Sequence, residues 1–341
     1  MSRYILMLFL LSHLACIGQT SENDAKEILI EKILAEPTPQ EVQEILTYHR
    51  RKELAPQEVT FHDSTLLSNG NTLYILSHKV EGNTHYGAVI VPGNGGSKKL
   101  PVVIFATGGD GIHKEFDIGL DFNHAAAQFP SYMGKGLDQQ FIVAIPSFRG
   151  QQLIINDKKY QSGGKVEDAF DGATTDAIAF LNVTLQAFPQ SDESRIAIYG
   201  GSRGGTVALL ASARDPRVKR TIVACVPTGM KALYLLYPGQ FSLLFFNDLF
   251  AGKITESEAR RKFISSSPLY FVHALPRVQL HHDTGDPFVP VELAEKFVER
   301  MKANGKDIEP YYYNENIHGF WEDGNYWERV QEFIGTLLER N

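Results

Sequence analysis

The stretch that decides the fold is "IAIYGGSRGGTVALLAS", which runs from Ile196 to Ser212. An apolar segment with strand character leads into a serine between two pairs of glycines, and a segment with helical character follows. The pattern Gly200-Gly201-Ser202-Arg203-Gly204 is therefore G-x-S-x-G at a strand-to-helix turn. Such a turn is crowded and strained, so the serine needs neighbours without side chains. The motif predicts that Ser202 is a nucleophile exposed at the carboxyl end of a strand.

The alternative interpretation of this stretch is a glycine-rich phosphate loop. That loop requires a lysine in Walker-A register or a G-x-G-x-x-G pattern, and the sequence around Ser202 has neither. A nucleophile at this turn needs N–H donors for the oxyanion, and the Arg203 backbone at the helix start supplies one. The second is predicted in "FATGGDGIHKEF", at Gly109 or Asp110, and His113 in the same loop is interpreted as structural.

A serine hydroxyl needs a general base, usually a histidine that is oriented by a carboxylate. Where the nucleophile lies in such a G-x-S-x-G turn, the acid follows the serine along the chain and the histidine comes last. "VQLHHDTGDPFVPV" ends a strand, and we predict Asp286 as the acid, with Asp283 as the alternative and otherwise a turn-capping residue. "YYYNENIHGFW" ends another strand and carries His318, the predicted base. His281 and His282 lie within a strand and are interpreted as packing or hydrogen-bonding residues.

Beyond Pro101, short apolar runs alternate with segments of helical periodicity, which predicts an α/β fold with a mostly parallel sheet and helices on both faces. Before it, residues 24–55 look helical, and "TLYILSHKVE" and "HYGAVIVPG" form a predicted hairpin with its turn at Gly82–Asn83. We expect an N-terminal extension over residues 21–86 and a catalytic domain over residues 87–341.

An apolar, aromatic segment at about residues 228–267 interrupts the alternation. It is predicted to be helical, either as core-covering helices or as an insertion over the sheet edge that forms part of a substrate pocket. On the second interpretation, Tyr234 and Phe241 are candidate substrate-binding residues. Arg149 and Arg203 are candidates for binding a substrate carboxylate, and their alternative role is in salt bridges.

Residues 1–20 have the layout of a secretory signal peptide: one arginine, an apolar stretch from Tyr4 to about Leu14, then small and polar residues. "LAC" at Leu14–Cys16 also resembles a lipoprotein box, in which a lipidated Cys16 would attach the protein to a membrane; otherwise Cys16 leaves with the signal. We therefore expect an exported protein, periplasmic or extracellular, with an outer-membrane lipoprotein as the alternative.

Composition and charge narrow the remaining classes of function. The formal net charge is −7, and the short basic runs lie in mixed-charge helical segments, which argues against nucleic-acid binding. The chain has 2 cysteines, so metal sites built from cysteine clusters are excluded. Cys225, within "TIVACV", is interpreted as a buried strand residue.

Four further motifs accompany "GGSRGG": "VAIPSFRG", "SSPLYFV", "HHDTGDPFVP" and "IHGF". Together they resemble the α/β-hydrolase superfamily, and more narrowly the catalytic domain of the prolyl oligopeptidase family and its dienelactone-hydrolase relatives. The resemblance covers roughly residues 87–341 and implies a Ser202–Asp286–His318 triad, a covalent acyl-enzyme and no cofactor. The chain departs from the family in having too few preceding residues for a β-propeller, and in Thr107 where many relatives have histidine.

The leading hypothesis is an exported serine hydrolase that cleaves a small ester or a short peptide. A catalytically silent binding protein with the same fold is the first alternative. Metal-dependent hydrolysis at a cluster of His281, His282 and Asp283 is the second. The pattern leaves ester and peptide substrates undecided, and it does not predict an oligomeric state.

Overall fold

The computed structural model describes residues 24–93, 98–109, 115–117, 137–155, 157–319 and 325–339. Its strands are β1 (Gln57–Leu66), β2 (Thr72–Val80), β3 (Asn83–Val91), β4 (Leu100–Ala106), β5 (Glu115–Asp117), β6 (Ile142–Pro146), β7 (Gln152–Ile155), β8 (Lys158–Gln161), β9 (Ser191–Gly201), β10 (Val218–Ala224), β11 (Arg277–Asp283) and β12 (Ile308–Tyr313). Nine of them form one sheet in the order β1-β2-β3-β6-β4-β9-β10-β11-β12, and β5-β7-β8 form a small second sheet.

The helices surround the large sheet. They are α1 (residues 24–34), α2 (Pro39–Arg50), α3 (Asp171–Ala187), α4 (Arg203–Arg214), α5 (Met230–Leu236), α6 (Pro238–Phe245), α7 (Asn247–Phe250), α8 (Glu256–Ser265), α9 (Val291–Ala303) and α10 (Asn325–Gly335). Short 3₁₀ turns lie at Leu137–Gln139, Pro268–Tyr270 and Val272–Ala274. Among the described residues, no helix combines the length and the apolar character that crossing a membrane requires.

The sheet is antiparallel from β1 to β6 and parallel from β6 to β12. The parallel strands at the centre of the sheet, β4 and β6, are apolar and buried throughout because both of their faces are covered. In β4, Val102 and Ile104 pack into the core that contains α4, whereas Val103 and Phe105 pack into the core that contains α10. Alternate residues of a strand point to opposite faces, so an unbroken apolar run fills both cores.

These strands and helices confirm the predicted fold class, with a mostly parallel sheet, the β2–β3 hairpin and a helical aromatic insertion, which comprises α5 to α8. Strand β1 was not predicted, because its polar sequence "QEVTFHDSTL" is mostly exposed at the sheet edge and lacks a clear alternation. The predicted boundary at residue 87 falls inside β3, so the extension and the catalytic part share one sheet. The predicted signal, residues 1–20 with Cys16, lies outside the described residues.

The fold buries histidines in neutral form, which makes its stability sensitive to acid. His78 is 2% exposed, packs against the rings of Phe180 and His85, and has a pKa lowered from 6.5 to about 4, chiefly by burial. Burial likewise lowers the pKa of His281 to about 3. Above pH 6.5 these rings are neutral in the folded and in the unfolded protein, so they contribute nothing to the pH dependence of stability. As the pH falls below 6.5, only the unfolded chain takes up protons on them, which favours unfolding.

We expect the free energy of unfolding to fall by about 2 kcal/mol for each such histidine between pH 7 and pH 5. Urea unfolding at both pH values measures the fall. His78→Phe keeps the ring packing against Phe180, and its fall should be smaller than that of the wild type by about 2 kcal/mol. An equal fall in the two proteins would show that His78 does not contribute.

Candidate active site

The turn between β9 and α4 has the strained geometry that the sequence predicts. Ser202 adopts φ 51° and ψ −126°, a conformation that residues with side chains rarely take. A Cβ atom on Gly200 would lie 2.2 Å from the Gly204 carbonyl oxygen, and one on Gly204 would lie 2.1 Å from the Ala106 carbonyl oxygen. Both positions therefore require glycine, and the turn holds Ser202 at the carboxyl edge of the sheet.

The structure brings Ser202, His318 and Asp286 together in one hydrogen-bonded line. His318 Nε2 lies 2.9 Å from Ser202 Oγ, and His318 Nδ1 lies 2.8 Å from Asp286 Oδ2. The three residues follow β9, β12 and β11, whose carboxyl ends meet at one edge because the strands are parallel. Three residues that are far apart in the sequence thus converge on one point.

Asp286 is held as a carboxylate by its surroundings. Its side chain is 0% exposed, and its Oδ1 accepts the N–H groups of Phe288 at 2.8 Å and Val289 at 2.9 Å. Burial alone would raise the pKa of Asp286, but the hydrogen bonds from His318 and from the two backbone N–H groups outweigh it and keep that pKa below its usual value. The negative charge beside His318 Nδ1 favours the tautomer whose Nε2 can accept a proton from Ser202.

Asp283, the alternative acid, connects the two loops that carry the site. Its carboxylate is buried and accepts the N–H groups of Gly285 at 2.8 Å, Glu315 at 2.8 Å and Asn316 at 3.1 Å. Gly285 lies in the loop of Asp286, and the other two residues lie in the loop of His318. The structure therefore brings Asp286 to the histidine and gives Asp283 a role in holding both loops.

His281 and His282 are buried and hydrogen-bonded within the protein, as the sequence predicts. His281 lies 2.8 Å from the Tyr313 hydroxyl and 3.0 Å from Gln279 Oε1, and His282 Nε2 donates to the Val289 carbonyl at 2.9 Å. They do not form a metal site with Asp283. Across the described part of the chain, the group of at least three metal-ligating side chains whose ligand atoms lie close together is that of Cys225, Asp286 and His318.

The candidate oxyanion donors flank Ser202. Arg203 is the first residue of α4, where backbone N–H groups point out of the helix end. Gly109 follows β4 with φ 111°, a conformation that favours glycine, and it lines the same cavity as Ser202. Asp110, the alternative second donor, and His113 lie outside the described residues.

The Arg203 side chain supports the neighbouring loop. It is 3% exposed, its Nη2 donates to the Gly108 carbonyl at 3.0 Å, and its guanidinium lies 5.3 Å from the centre of the Phe148 ring. The guanidinium therefore fixes the chain immediately before Gly109. The sequence predicts a different role for this side chain, binding of a substrate carboxylate, with salt bridges as the alternative.

An apolar cavity of about 480 Å³ opens over Ser202. Its walls come from the insertion, from the residue before α3 and from the loop of Asp286, and its lining comprises Gly109, Phe170, Ser202, Arg203, Pro227, Leu233, Tyr237, Gln240, Phe241, Leu244, Phe288, Val289 and His318. The rings of Phe170 and Phe241 stack with centroids 6.5 Å apart. The Tyr237 hydroxyl donates to the Phe288 carbonyl at 2.9 Å, which joins the insertion to the loop of the acid.

The predicted substrate-binding residues have three different positions. Phe241 lines the cavity. Tyr234 instead packs edge-on against Phe246, with centroids 5.3 Å apart. Arg149 lies outside the cavity lining and forms ion pairs with carboxylates, those of Glu81, Asp168 and Asp176.

The residues of the site that the sequence interpretation missed include Phe170, Cys225, Tyr237 and Phe288. For two of these four residues, the sequence contained a feature that could have placed them in the site. Cys225 directly follows β10, the neighbour of the strand that Ser202 follows, and Phe288 lies two residues after Asp286. Burial and the charge of Asp286 raise the pKa of the Cys225 thiol. Phe170 and Tyr237 had no local signal, because only the packing of the insertion brings them to Ser202.

A sequence profile of the prolyl oligopeptidase family matches residues 129–339. Of curated protein sequences, none matches the chain significantly. Acetyl xylan esterase 1 from Thermoanaerobacterium sp. JW/SL YS485 superposes with a TM-score of 0.65 at 16% identity, over 91% of this chain and 98% of that one. A Mycobacterium tuberculosis puromycin-hydrolyzing peptidase superposes with a TM-score of 0.58 at 16% identity, over 83% of this chain and 46% of that one. An S-formylglutathione hydrolase from Agrobacterium tumefaciens superposes with a TM-score of 0.54 at 15% identity, over 82% of this chain and 97% of that one.

These likenesses, at 15 to 16% identity, show a shared α/β-hydrolase fold. The chain spans nearly the whole length of the first and third structures but less than half of the peptidase. The family profile covers well over half of this chain and includes Ser202, Asp286 and His318. By sequence and by fold, the chain therefore belongs to the prolyl oligopeptidase family of hydrolases.

Proposed function

We propose that this protein is a serine hydrolase that cleaves a carboxylic ester or amide bond through a covalent acyl-enzyme. Ser202 is the nucleophile, His318 the general base and acid, and Asp286 the residue that orients the imidazole. The observation that carries the proposal is the hydrogen-bonded line from Ser202 Oγ to His318 at 2.9 Å and on to Asp286 at 2.8 Å. Each group has the partner that its role requires.

In the first half of the reaction, Ser202 Oγ attacks the substrate carbonyl carbon while His318 Nε2 takes the hydroxyl proton. The carbonyl oxygen gains the negative charge, and the backbone N–H groups of Arg203 and Gly109 are the proposed donors that stabilise it. As the tetrahedral intermediate collapses, the bond to the leaving group breaks and His318 returns the proton to the departing alcohol or amine. The acyl group then remains on Ser202 as an ester.

In the second half, water replaces the leaving group. His318 takes a proton from the water as it attacks the acyl carbonyl, and then returns that proton to Ser202 Oγ as the acid product leaves. Asp286 keeps its charge throughout and stabilises the imidazolium that forms in each half. The fixed hydrogen bonds from Phe288 and Val289 hold its carboxylate in place during both halves.

Within this proposal we favour an ester with an apolar acyl or aryl group. The described lining of the cavity is largely aromatic and aliphatic and includes no acidic side chain that would bind a free amino terminus. A structure named as an acetyl xylan esterase superposes on this chain with a TM-score of 0.65, and one named as a peptidase with 0.58. The sequence of residues 1–20 supports the further proposal that the hydrolase is exported, with attachment through Cys16 as the alternative.

Fluorophosphonate labelling tests the nucleophile independently of substrate choice. We expect one label on Ser202, lost in Ser202→Ala and retained in Ser194→Ala, which changes an exposed serine of β9. A labelled enzyme should then hydrolyse p-nitrophenyl esters of medium acyl length faster than aminoacyl or peptidyl p-nitroanilides. A folded protein that takes no label would overturn the proposal in favour of a catalytically silent binding protein.

A further inference from the structure

The mechanism makes no use of Cys225, although this residue lies against the site. Cys225 follows the last residue of β10, is 1% exposed, and its thiol donates to the carbonyl of Gly319 at 3.4 Å. Gly319 is the residue after His318. The thiol is therefore buried and contacts the loop that carries His318.

Three different metal-ligating groups meet at this point. The Cys225 sulfur, a carboxylate oxygen of Asp286 and a ring nitrogen of His318 all lie within 4.8 Å of one another. Asp286 Oδ1 already accepts two backbone N–H groups, from Phe288 and Val289, so the oxygen that faces His318, Oδ2, is the donor. His318 Nδ1 is the ring nitrogen on that side, 2.8 Å from Oδ2.

We propose that Cys225, His318 and Asp286 form a binding site for a soft divalent cation such as Zn²⁺ or Cd²⁺, and that occupation of this site switches the hydrolase off. Thiolate, imidazole and carboxylate are the ligands that Zn²⁺ selects in proteins. Bond lengths of about 2.3 Å to sulfur and about 2.0 Å to nitrogen put the ligand atoms of a tetrahedral ion roughly 3.5 Å apart. The sulfur must therefore approach the other two ligand atoms by up to about 1.3 Å, whereas Nδ1 and Oδ2, which lie 2.8 Å apart, must separate by roughly 0.5 Å, with a water as the fourth ligand.

Binding of the ion would stop catalysis through the histidine tautomer. The thiol releases its proton to solvent, and the ion takes the place of the Nδ1 proton between His318 and Asp286. The remaining ring proton of a neutral imidazole then lies on Nε2, which faces Ser202 Oγ at 2.9 Å. That nitrogen can no longer accept the serine proton. The inhibition thus rests on the proposed function, whereas the binding of the ion does not.

A binding experiment tests the site without reference to activity. Ser202→Ala keeps all three ligands, and we expect Cd²⁺ to give a thiolate-to-metal charge-transfer band in the ultraviolet with a stoichiometry of one. The chain contains 2 cysteines, so two further variants assign the band. It should persist when Cys16→Ser is added and disappear when Cys225→Ser is added. A band that follows Cys16, or no band at all, would overturn the proposal.

An activity experiment tests whether binding of the ion inhibits the hydrolase. Cd²⁺ and Zn²⁺ should inhibit ester hydrolysis and slow fluorophosphonate labelling of Ser202, a chelator should reverse both effects, and Mg²⁺ should have no effect because it prefers oxygen ligands. In Cys225→Ser and Cys225→Ala, half-inhibition measured against each variant's own activity should need at least tenfold more Cd²⁺. Equal sensitivity of these variants and the wild type would overturn the proposal. A protein that shows the charge-transfer band but takes no fluorophosphonate label would contradict the proposed function alone.

Discussion

Replacing His318 with alanine should lower kcat on the order of 10⁴-fold or more, and Ser202→Ala should do the same. In the proposed mechanism the two residues, 2.9 Å apart, exchange one proton, so removing either one should disable the same step. The double variant should therefore be no slower than either single variant, within about twofold, because the two residues act as a unit. Steady-state kinetics on one ester, with circular dichroism to verify folding, measures all three. Losses that multiply in the double variant would show that the residues act separately.

Asp286→Asn should cost on the order of 10³- to 10⁴-fold in kcat, because the amide cannot favour the tautomer that accepts the serine proton. The matched variant is Asp283→Asn, which changes the other carboxylate of this loop. Asp283 accepts backbone N–H groups from both loops, so its loss should appear mainly as a lower unfolding midpoint. A smaller loss of kcat in Asp286→Asn than in a folded Asp283→Asn would reverse the assignment of the acid.

The fold and the three converging residues could be predicted because their signals are local. The glycines around Ser202 are required by contacts with the adjoining strand and helix backbone, so the pattern of a few residues indicates the turn. Asp286 and His318 could be predicted because each lies in a loop that follows a predicted strand. Parallel strands end at one edge of the sheet, so a strand-by-strand interpretation of the sequence also predicts which polar residues meet.

The substrate side of the site could not be predicted in the same way. Helices α5 and α6 of the insertion, "MKALYLL" and "PGQFSLLF", are mostly apolar, so periodicity does not distinguish their face toward Ser202 from their face toward the core. Phe241 was predicted for the cavity and lies there, whereas Tyr234 packs against Phe246 and Tyr237 lines the cavity in its place. The difference is less than one helical turn, and tertiary packing alone decides it.

Arg149 is a charged residue whose role likewise could not be predicted from the sequence. Its guanidinium donates to Asp176 at 2.8 and 3.1 Å, to Asp168 at 2.8 Å and to Glu81 at 2.9 Å, and its backbone N–H donates to Asp176 at 2.7 Å. Burial by itself would lower the pKa of Arg149, but the carboxylates, Asp176 first, outweigh it and raise that pKa. These partners lie 19 to 68 residues away in sequence, so no local pattern distinguishes this ion network from a substrate-binding arginine.

Arg149→Met should lower the free energy of unfolding by about 3 to 5 kcal/mol. The methionine keeps much of the buried stem, but it leaves Asp176, whose side chain is 1% exposed, without its forked partner. Urea unfolding measures the loss, and Arg149→Lys should lose less because it keeps the charge while failing to bridge the carboxylates in the same geometry. The KM for a neutral ester and the KM for an ester that carries a carboxylate should change alike in both variants, because Arg149 lies outside the cavity lining. A stable Arg149→Met protein with a raised KM for the carboxylate ester alone would instead restore Arg149 to the substrate site.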